Sequence, residues 1–437
     1  MAERSFVREV EMLRVPAGTE FRGEGILAVT KALMEAGVAY VSGYQGSPIS
    51  HLMDVLADAQ PILEELGVYF QPAASEAAAA AMLSASVMYS VRGAVAWKST
   101  VGTNVASDAL ANLASGGVTG GALIVVGEDY GEGSSIMQER THGFAMKSQI
   151  WLLDPRPNLP AIVQAVHDGF ELSEVSHTPV MLQLRIRSCH LHGSFVTREN
   201  RRPAFTLRQA LEAPRRDVNR IVLPPASFLH EHEKIEQRWP AAVDFIRQRK
   251  LNEFFDGDLA ELGIVVLGGL YNNVLRALLL HGMADLYGES RIPLYVLNVA
   301  YPLVDDEVVR FCAVRSCVGP GTAAPRRRAA PLAPRQFAAR AGDRAHRGLA
   351  ARRTGRTGAR LRPRGRGRRV PPRGQGLQRY PSARQQPLRP PDARRGPPRG
   401  RSCGRPGACG AARRHRPSPG RPLARPRPAG ASVNRDR

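Results

Sequence analysis

The chain has 437 residues, enough for two or three domains with substantial cores, and its formal net charge of +22 invites a nucleic-acid reading. That average misleads. Residues 314–437 hold 34 Arg, no Lys and three acids (Asp343, Asp392, Asp436), which leaves 27 basic and 36 acidic residues before them, a net charge of −9.

An acidic globular body with an extremely basic tail is therefore expected. Five scattered cysteines (Cys189, Cys312, Cys317, Cys403, Cys409) with no CxxC pair argue against a disulfide framework, a zinc ribbon or an iron–sulfur cluster. The start, MAERSFVREVEMLRV, has no apolar core of signal-peptide length, and no long uncharged apolar run suggests a membrane span. A cytoplasmic protein is expected.

In chain order, GVAYVSGY reads as a strand and Pro48–Leu66 as a helix. GVYFQ is a short strand, Ser75–Ser90 an alanine-rich helix, GAVAWKS a strand, Asn104–Leu113 a helix and GALIVVGED a strongly apolar strand. Leu159–Val175 has apolar residues at helical spacing, and TPVMLQLRI closes the unit. This alternation predicts an α/β fold, a parallel sheet with helices on both faces, whose ligands lie at the carboxyl ends of its strands.

Residues 201–260 read as a linker, with the charged stretch His230–Lys250 as an exposed helix. A second, incomplete α/β domain spans 261–313: the strand in LGIVVLGGLYNN, the helical VLRALLLHGMADLYG, the strand RIPLYVLNVAYPL and the helix VDDEVVRFCA. With an N-terminal segment over 1–20, a domain over 21–200 and a tail over 314–437, the division is complete.

After Ala313 there is no Ile, Met, Trp or Lys, while Pro and Gly recur. Such a composition cannot offset the entropy of ordering, so disorder is expected. Two explanations compete: a basic tail for nucleic acid, and GC-rich DNA read out of frame, which yields Arg, Pro, Ala and Gly. The break falls inside an unfinished domain, which favours the second. Whatever its origin, the tail would retain nucleic acid only non-specifically and in a salt-dependent way.

Four loops bring small or polar residues to one sheet edge: GYQGSP (43–48), QPAASEAAA (71–79), WKSTVGTN (97–104) and GEDYGEGSS (127–135). Ser47 and Pro48 form a helix start, serine as N-cap and proline at the first helical position. Glu76 stands at the front of a helix among alanines, where a flat molecule can approach its carboxyl group closely and water is kept away. In RSCHLHG, the residues Cys189, His190 and His192 crowd a strand end, but no fourth ligand is spaced to complete a metal site, and none is expected.

Taken together, GYQGSP, ASEAAAAAMLSAS, KSTVGTNVASDAL and GALIVVGEDYGEGSSIMQERTH resemble the 2-oxoacid:ferredoxin oxidoreductases, in particular their indolepyruvate-type alpha subunits. The resemblance covers about residues 20–313 and implies a thiamine diphosphate enzyme whose pyrimidine-binding domain is residues 21–200. Glu76 matches the pyrimidine-activating glutamate. Ser47 matches the Ser/Thr of a strand-end motif whose hydroxyl lies near the substrate, with Gln45 where the family has proline. Gly46 and Pro48 shape that loop, and Gly102 and Asn104 fall in the next cofactor loop beside Lys98. Glu128 and Asp129 end the apolar strand at the same edge, in reach of cofactor, neighbouring chain or solvent.

The resemblance further implies oxidative decarboxylation of an aryl 2-oxo acid, with coenzyme A taking the acyl group, ferredoxin the electrons, and a second oxidoreductase subunit as partner. The family holds the diphosphate through Mg²⁺ on a Gly-Asp-Gly…Asn segment. Here DGD at Asp256–Asp258 has the wrong order, and YNN at Tyr271–Asn273 lacks an upstream acid. The family's iron–sulfur cysteine cluster is not found either. A truncated or frameshifted chain is expected, offering only the pyrimidine end of the cofactor site and inactive alone.

Overall fold

A computed structural model describes residues 4–129, 141–214, 217–313 and 315–319. The tail from residue 320, with Cys403 and Cys409, and much of the loop 127–135 lie outside the described residues.

Strand β1 (Glu20–Glu24) leads into helix α1 (Gly25–Glu35), which is buried along its whole length. There follow β2 (Tyr40–Gly43), α2 (Ser50–Asp58), α3 (Gln60–Leu66), β3 (Tyr69–Pro72), α4 (Glu76–Met82), α5 (Ala85–Met88) and β4 (Gly93–Lys98). Next come α6 (Val101–Val105), α7 (Ser107–Gly116), β5 (Ala122–Glu128), α8 (Thr141–Ser148), β6 (Trp151–Leu153), α9 (Leu159–Ser176), β7 (Val180–Arg185), α10 (Ile186–His190) and β8 (His192–Val196).

The main sheet has seven strands in the order β12-β6-β7-β5-β4-β2-β3, with β12 (Val299–Tyr301) the antiparallel edge and the rest parallel. All seven residues of β5 are buried, the pattern of a strand covered on both faces. Gly43 lies beside Pro72 and Ala96, and Lys98 beside Gly127, so the carboxyl ends of β3, β2, β4 and β5 are nearly level. The expected α/β architecture is observed.

Several elements depart from the pattern reading. The helix expected at Pro48 starts at Ser50, because the Ile49 N–H bonds the Gly46 carbonyl (2.9 Å) and closes a turn first. Ser47 therefore does not cap it, and the Ser47–Pro48 peptide is cis. That helix also breaks at Ala59, where Pro61 in the first turn of α3 has no N–H to continue the ladder. The helices expected over Ser75–Ser90 and Asn104–Leu113 are likewise divided, into α4 and α5 and into α6 and α7.

Residues 201–260 hold α11 (Leu207–Glu212), α12 (Ala226–Glu233), a π-helical turn over Lys234–Arg238 and α13 (Trp239–Arg249). This segment is not the exposed helix expected. His230, Lys234, Arg238, Ala242 and Ile246 are buried, Arg238 at 2% exposure. The Arg238 guanidinium donates to the carbonyls of Ala114 (3.2 Å), Ser115 (2.9 Å) and His230 (2.7 Å). It thereby satisfies the last turn of α7, where a cation also complements the helix dipole.

Beyond lie β9 (Glu253–Phe255), β10 (Leu262–Leu267), α14 (Tyr271–Leu280), β11 (Leu294–Leu297), β12, α15 (Asp305–Cys312) and β13 (Ser316–Val318). A second sheet has the order β13-β10-β11-β9. The single strand expected in RIPLYVLNVAYPL is two, β11 in the second sheet and β12 in the main one. Asn298 sits at the change: its Nδ2 donates to the Leu251 carbonyl (2.9 Å) and to Glu253 Oε2 (2.8 Å), and its Oδ1 accepts from the Arg156 N–H (3.2 Å). Strand β13 also carries order past Ala313, where the expected break lay. Among the described residues, no helix is long and apolar enough to cross a membrane.

Candidate functional site

The loop after β2 lies flat across the ends of its neighbours because glycines let it. A Cβ on Gly43 would stand 2.5 Å from the Ala96 carbonyl and 2.7 Å from Met53 Sδ. One on Gly46 would stand 2.7 Å from Lys98 Cβ, and one on Gly127 2.7 Å from Ile49 Cβ. The room left by these small residues is filled by the protein's own side chains. Pro48 is buried and Ser47 exposed.

Lys98 ties this loop down. Its Nζ donates to the Ser47 carbonyl (2.6 Å) and to Asp129 Oδ2 (2.9 Å). Asp129 is 1% exposed and Glu128 6%, so the end of β5 is not a solvated strand end. The carboxylate is buried with a cation at hydrogen-bond distance, the condition under which buried charge is tolerated. Ser47, Gly46, Lys98 and Asp129 thus form one cluster at the ends of β2, β4 and β5.

The second cluster is built around Glu76, the first residue of α4. Ser75 caps that helix, its Oγ accepting from the Ala78 N–H (3.3 Å). Glu76 is 7% exposed, and among the described residues its carboxylate has no hydrogen-bond partner. Gly102 packs against both its stem and Trp97: a Cβ on Gly102 would lie 2.8 Å from Glu76 Cγ and from Trp97 Cδ1. Trp97 is fully buried and donates from Nε1 to Thr103 Oγ1 (3.2 Å), so its ring is fixed. Asn104, two residues beyond Gly102, is exposed, and no contact brings it to Glu76.

Between the clusters runs Thr100, at φ 42° and ψ −66°. A β-branched residue in this region is a genuine outlier, and strained backbone of this kind concentrates at functional turns. The preceding Ser99 hydrogen-bonds Thr141 through their hydroxyls. Trp97 and Thr100 were missed in the sequence. Trp97 reads there as core, and a positive φ leaves no mark in residue type.

The residues of RSCHLHG diverge. Cys189 is buried, its thiol donates to the Leu184 carbonyl (3.8 Å), and burial raises its pKa. His192 points out from β8 and is exposed. His190 turns inward to Glu24 (Nδ1 to Oε1, 2.8 Å).

No protein-family model matches the chain. Among solved structures it is similar to 2-oxoglutarate:ferredoxin oxidoreductase from Magnetococcus marinus, determined with 2-oxoglutarate, coenzyme A and succinyl-CoA bound. The TM-score is 0.53 and the identity 17%, over 69% of this chain and 57% of that one. The fold is that of a 2-oxoacid:ferredoxin oxidoreductase. In sequence, 286 residues are 30% identical to indolepyruvate oxidoreductase subunit IorA of Methanothermobacter thermautotrophicus, 65% of this chain and 43% of that one. The subunit of the same name from Thermococcus kodakarensis is 28% identical over 258 residues, 59% of this chain and 39% of that one. The chain is a relative of the indolepyruvate oxidoreductase IorA subunits and spans less than half of their length.

Proposed function

We propose that this chain forms the pyrimidine-binding side of a thiamine diphosphate site in a 2-oxoacid:ferredoxin oxidoreductase of the indolepyruvate type, with residues 21–200 as the domain concerned. Glu76 carries the reading. It is a carboxyl group 7% exposed, at the carboxyl edge of a parallel sheet, with no hydrogen-bond partner among the described residues. Its oxygens remain accessible at that edge and have no protein partner to give up, so a ligand seated there can take their hydrogen bond.

The surroundings fit an aminopyrimidine ring. Ala79 and Ala80, which follow Glu76 in α4, are buried, and Gly102 lies close against its stem. When bound, thiamine diphosphate supplies the electron sink for decarboxylating a 2-oxo acid. Glu76 would hold a proton on its carboxyl oxygen and exchange it with a ring nitrogen. Ser47, exposed at the edge with its carbonyl fixed by Lys98, would offer its hydroxyl to the 2-oxo acid. Gly46 and Pro48 set the path of that loop, and Asn104 lines the outer rim.

An aryl 2-oxo acid such as indolepyruvate is taken over from the names of the IorA relatives. Coenzyme A as acyl acceptor and ferredoxin as electron acceptor come from the structural neighbour. The diphosphate, its Mg²⁺ and the iron–sulfur centre would be held by polypeptide outside this sequence, whether a longer form of the chain or a second subunit.

The test combines the full chain with a subunit carrying the diphosphate-binding domain. Indolepyruvate decarboxylation is measured with thiamine diphosphate, Mg²⁺, coenzyme A and ferredoxin. Turnover that falls by about 10²-fold or more in Glu76→Gln supports the proposal. Turnover unchanged in that variant, or none with any 2-oxo acid once the subunits are shown to associate, rules it out.

A further inference from the structure

We propose that Glu24, His51 and His190 form a site for a divalent cation of the zinc class. The three come from separate elements: Glu24 ends β1, His51 is the second residue of α2, and His190 ends α10. Their ligand atoms all lie within 4.8 Å of one another, and His190 Nδ1 is 2.8 Å from Glu24 Oε1. The two imidazole rings meet edge to face, centroids 5.4 Å apart at 74°.

Two imidazoles and one carboxylate form the donor set that zinc and its neighbours in the transition series prefer, whereas Mg²⁺ and Ca²⁺ select oxygen. Ligands about 2.1 Å from a tetrahedral zinc are about 3.4 Å apart, so with all separations within 4.8 Å none needs to shorten by more than about 1.4 Å. Rotation of one partly exposed imidazole supplies that.

The surroundings are built for such a role. Arg4 Nη1 holds the second carboxylate oxygen, Glu24 Oε2, at 2.8 Å and leaves Oε1 to the cation, as outer partners of metal-bound carboxylates do. Phe6 packs edge to face on the His51 ring (5.7 Å), and Arg4 lies over Phe6 (4.3 Å). Glu24 is buried at 3% exposure while the His190 side chain is 38% exposed, which gives the cation an entry path and an open fourth position for water. His51 follows Pro48 by three residues. A bound cation would therefore clamp β1, α2 and α10 together immediately behind the loop that carries Ser47.

The test uses the full chain after chelator treatment. Zinc is added back, stoichiometry is read by equilibrium dialysis, and the ligands are read by zinc X-ray absorption. One zinc per chain is expected, with two imidazoles, oxygen and no sulfur in its coordination sphere. Affinity should fall at least tenfold in His51→Ala and in His190→Ala, and stay unchanged in His192→Ala and Cys317→Ser. Excess Mg²⁺ should not displace the ion.

No stoichiometric binding, a sulfur ligand, or affinity retained in both histidine variants would overturn the proposal. Should a variant fail to fold, the absorption spectrum of the unaltered chain still decides. Neither readout needs catalytic activity, so the outcome is independent of the thiamine reading.

Discussion

Gly102 is where backbone and chemistry meet most closely at the residue scale. Its missing side chain lets α6 press on Glu76 Cγ and Trp97 Cδ1, each 2.8 Å from where a Cβ would be. Trp97 is fully buried and its ring is held by Thr103, so it has little freedom to give way. Gly102→Ala should therefore destabilise the fold by about 1–3 kcal/mol, the usual cost of overpacking. Asn104→Ala, at an exposed position on the same helix, should stay within about 0.5 kcal/mol of the unaltered chain. Thermal unfolding of both variants separates the two; equal effects would mean that Gly102 is a turn residue and not a packing one. Glu76 stands out in the sequence because a carboxylate among alanines is locally conspicuous. The closeness of Gly102 to both Glu76 and Trp97 does not, since a tryptophan in an apolar strand carries no mark of what it touches.

At the element scale, the alternation of strands and helices was readable because burial on one or both faces imposes a period on the residues themselves. Helix ends were read less well. Proline at position 48 has the residue type of a first helical turn, yet the Gly46–Ile49 hydrogen bond delays α2 to Ser50. The segment around Arg238 was the larger error: a run of charge reads as a solvated face, but this arginine sits on the last carbonyls of α7, 124 residues away in sequence from Ala114. Arg238→Ala should remove two hydrogen bonds to those groups and a third to the His230 carbonyl in α12, and cost about 2–3 kcal/mol. Hydrogen exchange should quicken in the last turn of α7 and in α12. Protection unchanged there would show that the guanidinium is not what orders these helices.

At the scale of the whole molecule, the chain passes from the four-stranded to the seven-stranded sheet at Asn298, and aromatic residues gather on both sides of it. Tyr301 packs beside Trp151 and Trp239, and burial pushes its hydroxyl from 10.0 up to about 12. Burial raises Tyr40 and Tyr295 as well. In the unfolded chain these hydroxyls ionise near pH 10, so between that value and their folded values the native state binds more protons. The stability they contribute is complete below pH about 10 and is lost as pH rises through the folded values. Alkaline titration followed by tyrosinate absorbance and far-ultraviolet circular dichroism should show buried tyrosines ionising only as the fold is lost. In Tyr301→Phe, part of the stability loss between pH about 10 and 12 should disappear. An identical pH dependence in the variant would show that Tyr301 does not couple to folding.

The sequence by itself determined the α/β class, the seating of three small, polar loops (43–48, 71–79 and 97–104) at one sheet edge and the place of Glu76 at a helix start. Each of these follows from local chemistry: the periodicity of burial, the close approach that a missing side chain permits at Gly43 and Gly46, the capping power of Ser75. Only the tertiary structure decided that Lys98 bridges Ser47 to Asp129, that β11 and β12 belong to different sheets, and that Glu24, His51 and His190 converge. These depend on which distant segments share a register and a packing face. The free energy that selects them is spread over a core assembled from the whole chain, and no local pattern of residues encodes it.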